Sequence, residues 1–240
     1  MIDGDIVDVD ADRVRLREVP APVPPPAEQA EMDRIWDEAV RANPKLFDGP
    51  LAGCVDLERD RGALTISWAR TTYRRTALRR VPGATAVLPA LFASVVQPTD
   101  DGRVLVGRMA QWTAHAGRWQ LPGGNVEPPV DGEVLDVAAL HGHGARELHE
   151  EIGVLVDPAD LALRFVAHPG GGNIGVVFVA PPLPEAELRA CFAASTAAEL
   201  ARGDEPELVD IAFVGTAADA VALGESWSIV SRSVLDRLIA

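Results

Sequence analysis

The chain has 240 residues, 48% of them hydrophobic and 24% charged, which is enough for one complete core with an appended element or for two small domains. Its formal charge of −14 argues against nucleic acid as the main partner, because that affinity depends on cationic contacts to phosphates. No apolar run of about 18 residues would span a membrane, and residues 1–5 lack a signal-peptide pattern. Cys54 and Cys191 have no metal-binding spacing, so we expect buried thiols and a cytoplasmic protein.

The N-terminal third is predicted to combine one long helix with short strands. Apolar residues at helical spacing predict the helix, and Asn43-Pro44 ends it. A proline-rich stretch before the helix is typical of an extended spacer. The predicted elements are a strand at Val14–Val19, the spacer at 20–26, the helix at Ala27–Ala42, strands at Leu51–Leu57 and Ala63–Arg70, and a short helix that starts at Thr71–Arg75.

The rest of the chain alternates strands and helices. Apolar, β-branched runs predict the strands Ala84–Gln97, Val104–Met109, Leu161–His168, Ile174–Ala180 and Leu208–Gly215. A hairpin turn at 100–103 joins the first two. Helical periodicity predicts Glu185–Ala201 and Ile229–Ile239. Between these segments, Val134–Leu140 is predicted to be helical already, and the glycines of His141-Gly142-His143-Gly144 are predicted to interrupt that helix.

A second helical segment, residues 145–154, carries three glutamates on one face. At 100° per residue, Glu147, Glu150 and Glu151 fall within about a third of the helix circumference, and Leu148 and Ile152 form a neighbouring apolar stripe. Like charges on one face repel each other, and a divalent cation would turn that repulsion into ligation. Carboxylate oxygens without Cys or His suit Mg²⁺ or Mn²⁺.

The same segment, with Pro122-Gly123-Gly124 and Glu127 upstream, resembles the Nudix box of the Nudix hydrolases. Residues 146–154 match the second half of that pattern at every specified position. The middle departs from it, with three extra residues between Gly124 and Glu133 and five more between Glu133 and Arg146. We interpret this as an eight-residue insertion that leaves the glutamate face intact and leaves the role of Glu133 open.

The N-terminal third adds to this resemblance. Ile35-Trp36, residues 43–50 and residues 72–74 resemble the N-terminal domain of the animal Nudix hydrolases that cleave UDP-glucose and UDP-galactose. The resemblance implies an α/β fold, a Nudix α/β/α sandwich with a mixed sheet, preceded by a small α+β N-terminal domain. The predicted segments are an N-terminal strand and Pro-rich stretch at 1–27, the small domain at 28–82 and the Nudix domain at 83–240.

The family resemblance also implies roles for individual residues. Glu147, Glu150 and Glu151 match the metal ligands, with Mg²⁺ or Mn²⁺ as cofactor, and Arg146 matches the arginine that orients a carboxylate. Many members add a distal glutamate, for which Glu207 is the candidate and Glu205 the fallback. Gly123 and Gly124 match the loop at the substrate. Tyr73, Arg74 and Arg75 lie in the shared N-terminal block and are candidate substrate contacts.

The implied activity is hydrolysis of the diphosphate in a nucleoside diphosphate sugar, with UMP and sugar 1-phosphate as products. ADP-ribose and dinucleotides are the alternative substrates. A non-hydrolytic nucleotide-sugar binding or regulatory protein on the same fold is the alternative class. The intact glutamate cluster argues against that class, because a binder need not keep repelling charges. The sequence indicates no oligomeric state.

Overall fold

A computed structural model describes residues 6–239. Residues 1–5, in which the sequence shows no signal-peptide pattern, lie outside the described part. Within residues 6–239 the strands are β1 Ile6–Asp8, β2 Val14–Glu18, β3 Pro50–Asp60, β4 Ala63–Thr72, β5 Leu91–Val96, β6 Val104–Met109, β7 Trp119–Gln120, β8 Gly123–Asn125, β9 Ala162–Ala167, β10 Ile174–Val179 and β11 Leu208–Val214. The α-helices are α1 Pro26–Ala42, α2 Val137–Ile152, α3 Glu185–Arg202, α4 Ala217–Ala222 and α5 Ile229–Ile239. Short 3₁₀ segments lie at Ala11–Arg13, Tyr73–Arg80, Pro158–Asp160 and Pro169–Gly171.

The strands form three sheets. A five-stranded mixed sheet has the order β1-β9-β10-β5-β8, in which β10 and β5 are parallel and the other neighbours antiparallel. A second sheet, β11-β6-β7, is antiparallel. In the third, β2-β4-β3, β2 runs parallel to β4 and β3 antiparallel to it.

Helices cover both faces of the mixed sheet. Successive residues of a strand point to opposite faces, and two adjacent valines of β10 show this. Val176 belongs to the hydrophobic cluster that contains Leu148 of α2, whereas Val177 belongs to the cluster that contains Val234 of α5. The predicted α/β/α layering with a mixed sheet is therefore confirmed.

The N-terminal sheet is attached to this sandwich by backbone hydrogen bonds. Ala52 N donates to Val126 O at 2.8 Å, and Cys54 N donates to Pro89 O at 2.7 Å. One hydrophobic cluster joins side chains of β3 and β4 to those of the mixed sheet. A separate cluster holds α1 against the 3₁₀ segment Tyr73–Arg80. The division at residues 27 and 82 stays a prediction.

One predicted strand is shorter in the structure, and the two strands joined by the turn at 100–103 lie in different sheets. The strand expected at Ala84–Gln97 is β only from Leu91, because the chain before it, which includes Pro89, runs along β3 without joining a ladder. The turn at 100–103 does form, with Thr99 N donating to Arg103 O at 2.7 Å. The two strands it joins then separate into different sheets, since β5 pairs with β10 and β8 whereas β6 pairs with β11 and β7.

The predicted interruption at His141–Gly144 is wrong, because α2 continues through both glycines. The helix is capped at its start by Asp136, whose side chain accepts from Ala139 N at 2.8 Å. A Cβ at Gly144 would meet Leu161, Phe178 and Val95 side chains at 3.3–3.4 Å. This glycine therefore allows close packing of the helix on the sheet, and burial of the apolar stripe outweighs its low helix propensity.

Candidate active site

The C-terminal half of α2 presents the three box glutamates to a cleft. Leu148 and Ile152 are fully buried against the sheet, as the apolar stripe predicted. Glu147 has a side chain only 14% exposed, Glu151 is partly buried, and Glu150 is 59% exposed at the rim. The helix ends at Gly153, whose φ of 80° is the left-handed conformation that glycine favours.

At each glycine of the Pro-Gly-Gly turn, a different structural feature excludes a side chain. Gly123 N donates a 2.8 Å hydrogen bond to Oε2 of Glu151, and its φ of 150° and contact with the β5 backbone leave no room for a side chain. A Cβ at Gly124 would lie 2.7 Å from the carboxyl carbon of Glu147. Both glycines therefore shape the space in which the glutamates sit.

Arg146 contacts the rim of the cluster. Its Nη2 lies 3.2 Å from Oε1 of Glu147 and 3.0 Å from Nδ1 of His143, and its Nε lies 3.8 Å from Oε1 of Glu150. The guanidinium thus bridges the most exposed and one of the least exposed glutamates, as an orienting group would.

Glu207 faces the same cleft from the other side. It precedes β11, and its carbonyl accepts from Ala110 N at 2.7 Å. Burial, followed by repulsion from Glu199 and Glu150, raises the pKa of Glu207. The fallback residue Glu205 instead forms a 2.6 Å ion pair with Lys45.

The electrostatics of the cluster favour a bound cation. Burial raises the pKa of Glu147 to about 7. The contact with Arg146 lowers this pKa, and repulsion from Glu150 and Glu207 raises it. Burial raises the pKa of Glu151 well above its ordinary value, although the hydrogen bond from the Gly123 amide lowers it. Repulsion from Glu147, Glu207 and Glu150 raises this pKa further. A divalent cation would offset both the burial and the repulsion.

The donor set therefore fits Mg²⁺ or Mn²⁺, since carboxylate oxygens are the ligands these hard ions prefer. Within residues 6–239, no three acidic, His or Cys side chains are grouped closely enough to hold an ion without adjustment. Glu147, Glu150 and Glu151 would need to turn their carboxylates toward a shared ion.

The cleft itself has a volume of about 960 Å³. The N-terminal region contributes one wall, and the loop between β6 and β7 contributes another. Side chains that line it beyond the glutamates and glycines already named include Lys45, Phe47, Tyr73, Arg79, Trp112, His115, Arg118 and Asn173. The described residues offer no hydrogen-bond or ion-pair partner to the Arg118 guanidinium, whereas Lys45, Arg79 and Arg146 are all paired.

Of the three predicted N-terminal contacts, the structure brings only Tyr73 to the cleft. Arg74 forms a 2.7 Å ion pair with Asp33 of α1, and Arg75 donates to the carbonyls of Pro22 and Ala86. Both guanidinium groups hold the N-terminal segment together, and neither lines the cleft. Arg79, one helical turn further on, reaches the cleft instead.

The inserted loop leaves Glu133 outside the site. Glu133 is exposed and does not line the cleft, whereas Glu127 does. Trp119 is buried and donates to Leu223 O, whereas Trp112 lines the cleft. The sequence did not predict that Lys45, Phe47, Arg79 and Arg118 line the cleft, because only the packing of the N-terminal region onto the sandwich brings them together.

The family model described as "NUDIX domain" matches residues 89–230. The chain therefore belongs to the NUDIX family of hydrolases. A comparison with curated protein sequences found no match.

Solved structures with some similarity include the MutT protein from Methanosarcina mazei Go1, at 21% identity over 62% of this chain and 91% of that one, with a TM-score of 0.41. A NUDIX hydrolase from Alicyclobacillus acidocaldarius gives 21% identity, 62% and 90% coverage and a TM-score of 0.41. The bifunctional NMN adenylyltransferase/ADP ribose pyrophosphatase from Francisella tularensis, described as complexed with AMP and a Mn ion, gives 13% identity, 62% and 40% coverage and a TM-score of 0.42. Family membership rests on the domain match.

Within the described residues, no helix is both long and apolar enough to cross a membrane. Cys54 is buried, as predicted, and Cys191 is partly buried; both are free thiols.

Proposed function

We propose that this protein is a divalent-metal-dependent diphosphatase that cleaves a nucleoside diphosphate sugar of the UDP-glucose or UDP-galactose type into UMP and sugar 1-phosphate. One observation carries the proposal. Glu147, Glu150, Glu151 and Glu207 share a single cleft, and burial and mutual repulsion raise the pKa of three of them. Such a cluster is costly to keep without a cationic ligand.

Glu147, Glu150 and Glu151 would hold the ion. A bound Mg²⁺ or Mn²⁺ would neutralise charge on the diphosphate oxygens and lower the pKa of water. Gly123 donates to Oε2 of Glu151, and Arg146 donates to Oε1 of Glu147, so each of these carboxylates is held at one oxygen and would turn its other oxygen toward the ion.

Glu207 is the proposed proton acceptor. The oxygen of a water molecule forms a bond to one phosphorus as the bond from that phosphorus to the bridging oxygen breaks. Glu207 takes the proton that the water loses, and the bridging oxygen leaves as part of the second phosphate. A carboxylate with a raised pKa is a stronger base, which suits this role.

The substrate proposal draws on the size and walls of the cleft. A volume of about 960 Å³ is ample for a nucleotide sugar. Phe47 and Tyr73 offer aromatic surface from the N-terminal wall. Arg118 offers an unpaired guanidinium among the described residues, suited to a phosphate. The choice of a UDP-sugar rests on the N-terminal sequence pattern.

The test is to incubate the purified protein with Mg²⁺ and UDP-glucose, UDP-galactose, ADP-ribose or a dinucleoside diphosphate, with and without EDTA, and to separate the products by anion exchange. UMP and sugar 1-phosphate that disappear with EDTA would support the proposal. Cleavage of ADP-ribose in preference would keep the chemistry and overturn the substrate. Binding without turnover would favour a regulatory protein on this fold.

A further inference from the structure

The loop that carries Glu207 is held from outside by the N-terminal region. We call residues 203–207 the Glu207 loop and residues 43–45 the clamp turn. The clamp turn directly follows α1, and its Asn43 side chain accepts from Lys45 N at 3.2 Å. Lys45 is the sole lysine of the chain, so replacing it removes the only lysine ammonium group.

Lys45 makes two contacts at the cleft. Its Nζ forms a 2.6 Å ion pair with Oε2 of Glu205, and it lies 4.6 Å from the centre of a Trp112 ring. An ammonium group over an indole face is attracted by the ring quadrupole. One cation thus ties the Glu207 loop to the loop between β6 and β7.

Trp112 connects the Glu207 loop to the clamp turn through two hydrogen bonds. Its Nε1 donates to Pro206 O at 3.3 Å, and its own carbonyl accepts from Nδ2 of Asn43 at 2.7 Å. Glu207 then pairs its carbonyl with Ala110 N. The two residues before Glu207 are therefore each held by a contact that leads back to the clamp turn.

We propose that the clamp turn is a positioning device for the Glu207 loop, with Lys45 as the positioning residue that keeps Glu207 directed at the box glutamates. This inference rests on the proposed function for its catalytic consequence. It gives the N-terminal region a role in the reaction besides lining the cleft, because loss of the clamp would release the proton acceptor without touching the metal ligands.

A matched control is available on α3. Arg189 forms a 2.7 Å ion pair with Glu185 and lies 4.9 Å from the Phe213 ring, so it combines the same two kinds of contact. Arg189 does not line the cleft. Lys45→Met and Arg189→Met therefore remove equivalent contacts at and away from the site.

The first measurement is hydrogen exchange of the full chain, followed by mass spectrometry. Lys45→Met should speed exchange in peptides covering 203–210 and 106–114, whereas Arg189→Met should leave those peptides unchanged. Unchanged exchange in Lys45→Met would overturn the proposal, whether or not the protein turns over any substrate. An inactive wild-type protein would contradict the proposed function, and exchange would still decide whether the turn holds the loop.

The second measurement is steady-state kinetics on the substrate found above. Lys45→Met should lower kcat about fivefold to tenfold with KM within about twofold, because an interaction that acts only on the catalytic step is lost. Lys45→Arg should keep at least about half of kcat, since Arg preserves the ion pair and the ring contact. A raised KM with unchanged kcat would mean that Lys45 binds substrate and would overturn the positioning role.

A double-mutant cycle completes the test. Glu205→Gln should reproduce the loss seen in Lys45→Met, and the double variant should be no worse than either single one, because residues that act through one contact are not additive. Additive losses would show that the two side chains act separately, which contradicts the clamp.

Discussion

The backbone amide of Gly123 donates a 2.8 Å hydrogen bond to Oε2 of Glu151. This bond joins the two halves of the motif, the glycine turn before the inserted loop and the helix after it. The turn and the helix therefore meet in space despite the eight extra residues between them, and the insertion leaves this part of the site assembled.

Replacing Glu151 by Gln should leave the fold intact and lower kcat by about 1,000-fold, because the amide keeps the bond to Gly123 but loses the charge needed to hold a cation. The measurement is steady-state turnover with Mg²⁺ beside a thermal melt. Glu133→Gln is the matched control, since Glu133 is exposed outside the cleft and should keep wild-type turnover. Unchanged kcat in Glu151→Gln would refute the metal assignment.

The metal-free protein should lose stability as pH rises, which is the opposite of the trend that salt-bridged carboxylates produce. A glutamate with a pKa raised to about 7, such as Glu147, binds its proton more tightly in the folded state than in the unfolded state. Its stabilising contribution is complete below its unfolded pKa near 4.5 and is lost as pH rises through about 7. Burial of Glu151 acts in the same direction.

The metal-free protein in EDTA should therefore have a lower Tm at pH 8 than at pH 6. Mn²⁺ should raise Tm more at pH 8, because ligation requires deprotonated carboxylates. In Glu151→Gln the metal-free Tm at pH 8 should rise above that of the wild type, and the response to Mn²⁺ should shrink. Equal Tm gains from Mn²⁺ at both pH values would contradict the shared-cluster account.

Replacing each glycine of the turn by Ala should affect a different property, turnover for Gly124 and stability for Gly123. Gly124→Ala places a methyl group against the Glu147 carboxylate, which is the mobile end of a side chain, so we expect kcat to fall about 10- to 100-fold with little change in Tm. Gly123→Ala meets backbone atoms of β5 at a φ of 150°, so unfolding free energy should fall by about 2 kcal/mol or more. Chemical denaturation and kinetics of both variants separate the two effects, and a reversed pattern would refute this reading of the turn.

The glycines inside α2 offer a test of the corrected helix. A Cβ at Gly142 meets nothing within 4 Å, so Gly142→Ala should stabilise the protein by roughly 0.5–1 kcal/mol. Gly144→Ala meets three side chains at 3.3–3.4 Å and should destabilise it by about 1 kcal/mol. Urea melts of both variants check the pair. Stabilisation by both would show that α2 packs less closely on the sheet.

Much of the fold was predictable from local pattern. The apolar run Val104–Met109 predicted the bounds of β6, and helical periodicity predicted those of α5. The acidic face of α2 followed from residue spacing alone. α4, which was not predicted, starts with a capping box formed by Thr216 and Asp219, and the spacing of these two residues is visible in the sequence.

The rest depended on tertiary contacts. Nothing local distinguishes a hairpin that stays paired from one whose strands separate into two sheets, as β5 and β6 do. The two glycines of His141–Gly144 predicted a helix interruption. The close approach of Phe178 and Val95 explains why Gly144 lies inside the helix. Arg74, Arg75 and Arg79 lie in one short 3₁₀ segment, and only the fold decides which of them reaches the cleft.

The most direct test of the account is hydrolysis of UDP-glucose in ¹⁸O-labelled water with Mg²⁺, followed by mass spectrometry of the products. The account predicts UMP and glucose 1-phosphate, one of the two carrying a single ¹⁸O on phosphorus, and no product in EDTA. UDP with free glucose, or label on a sugar carbon, would show that water does not attack the diphosphate and would contradict the account.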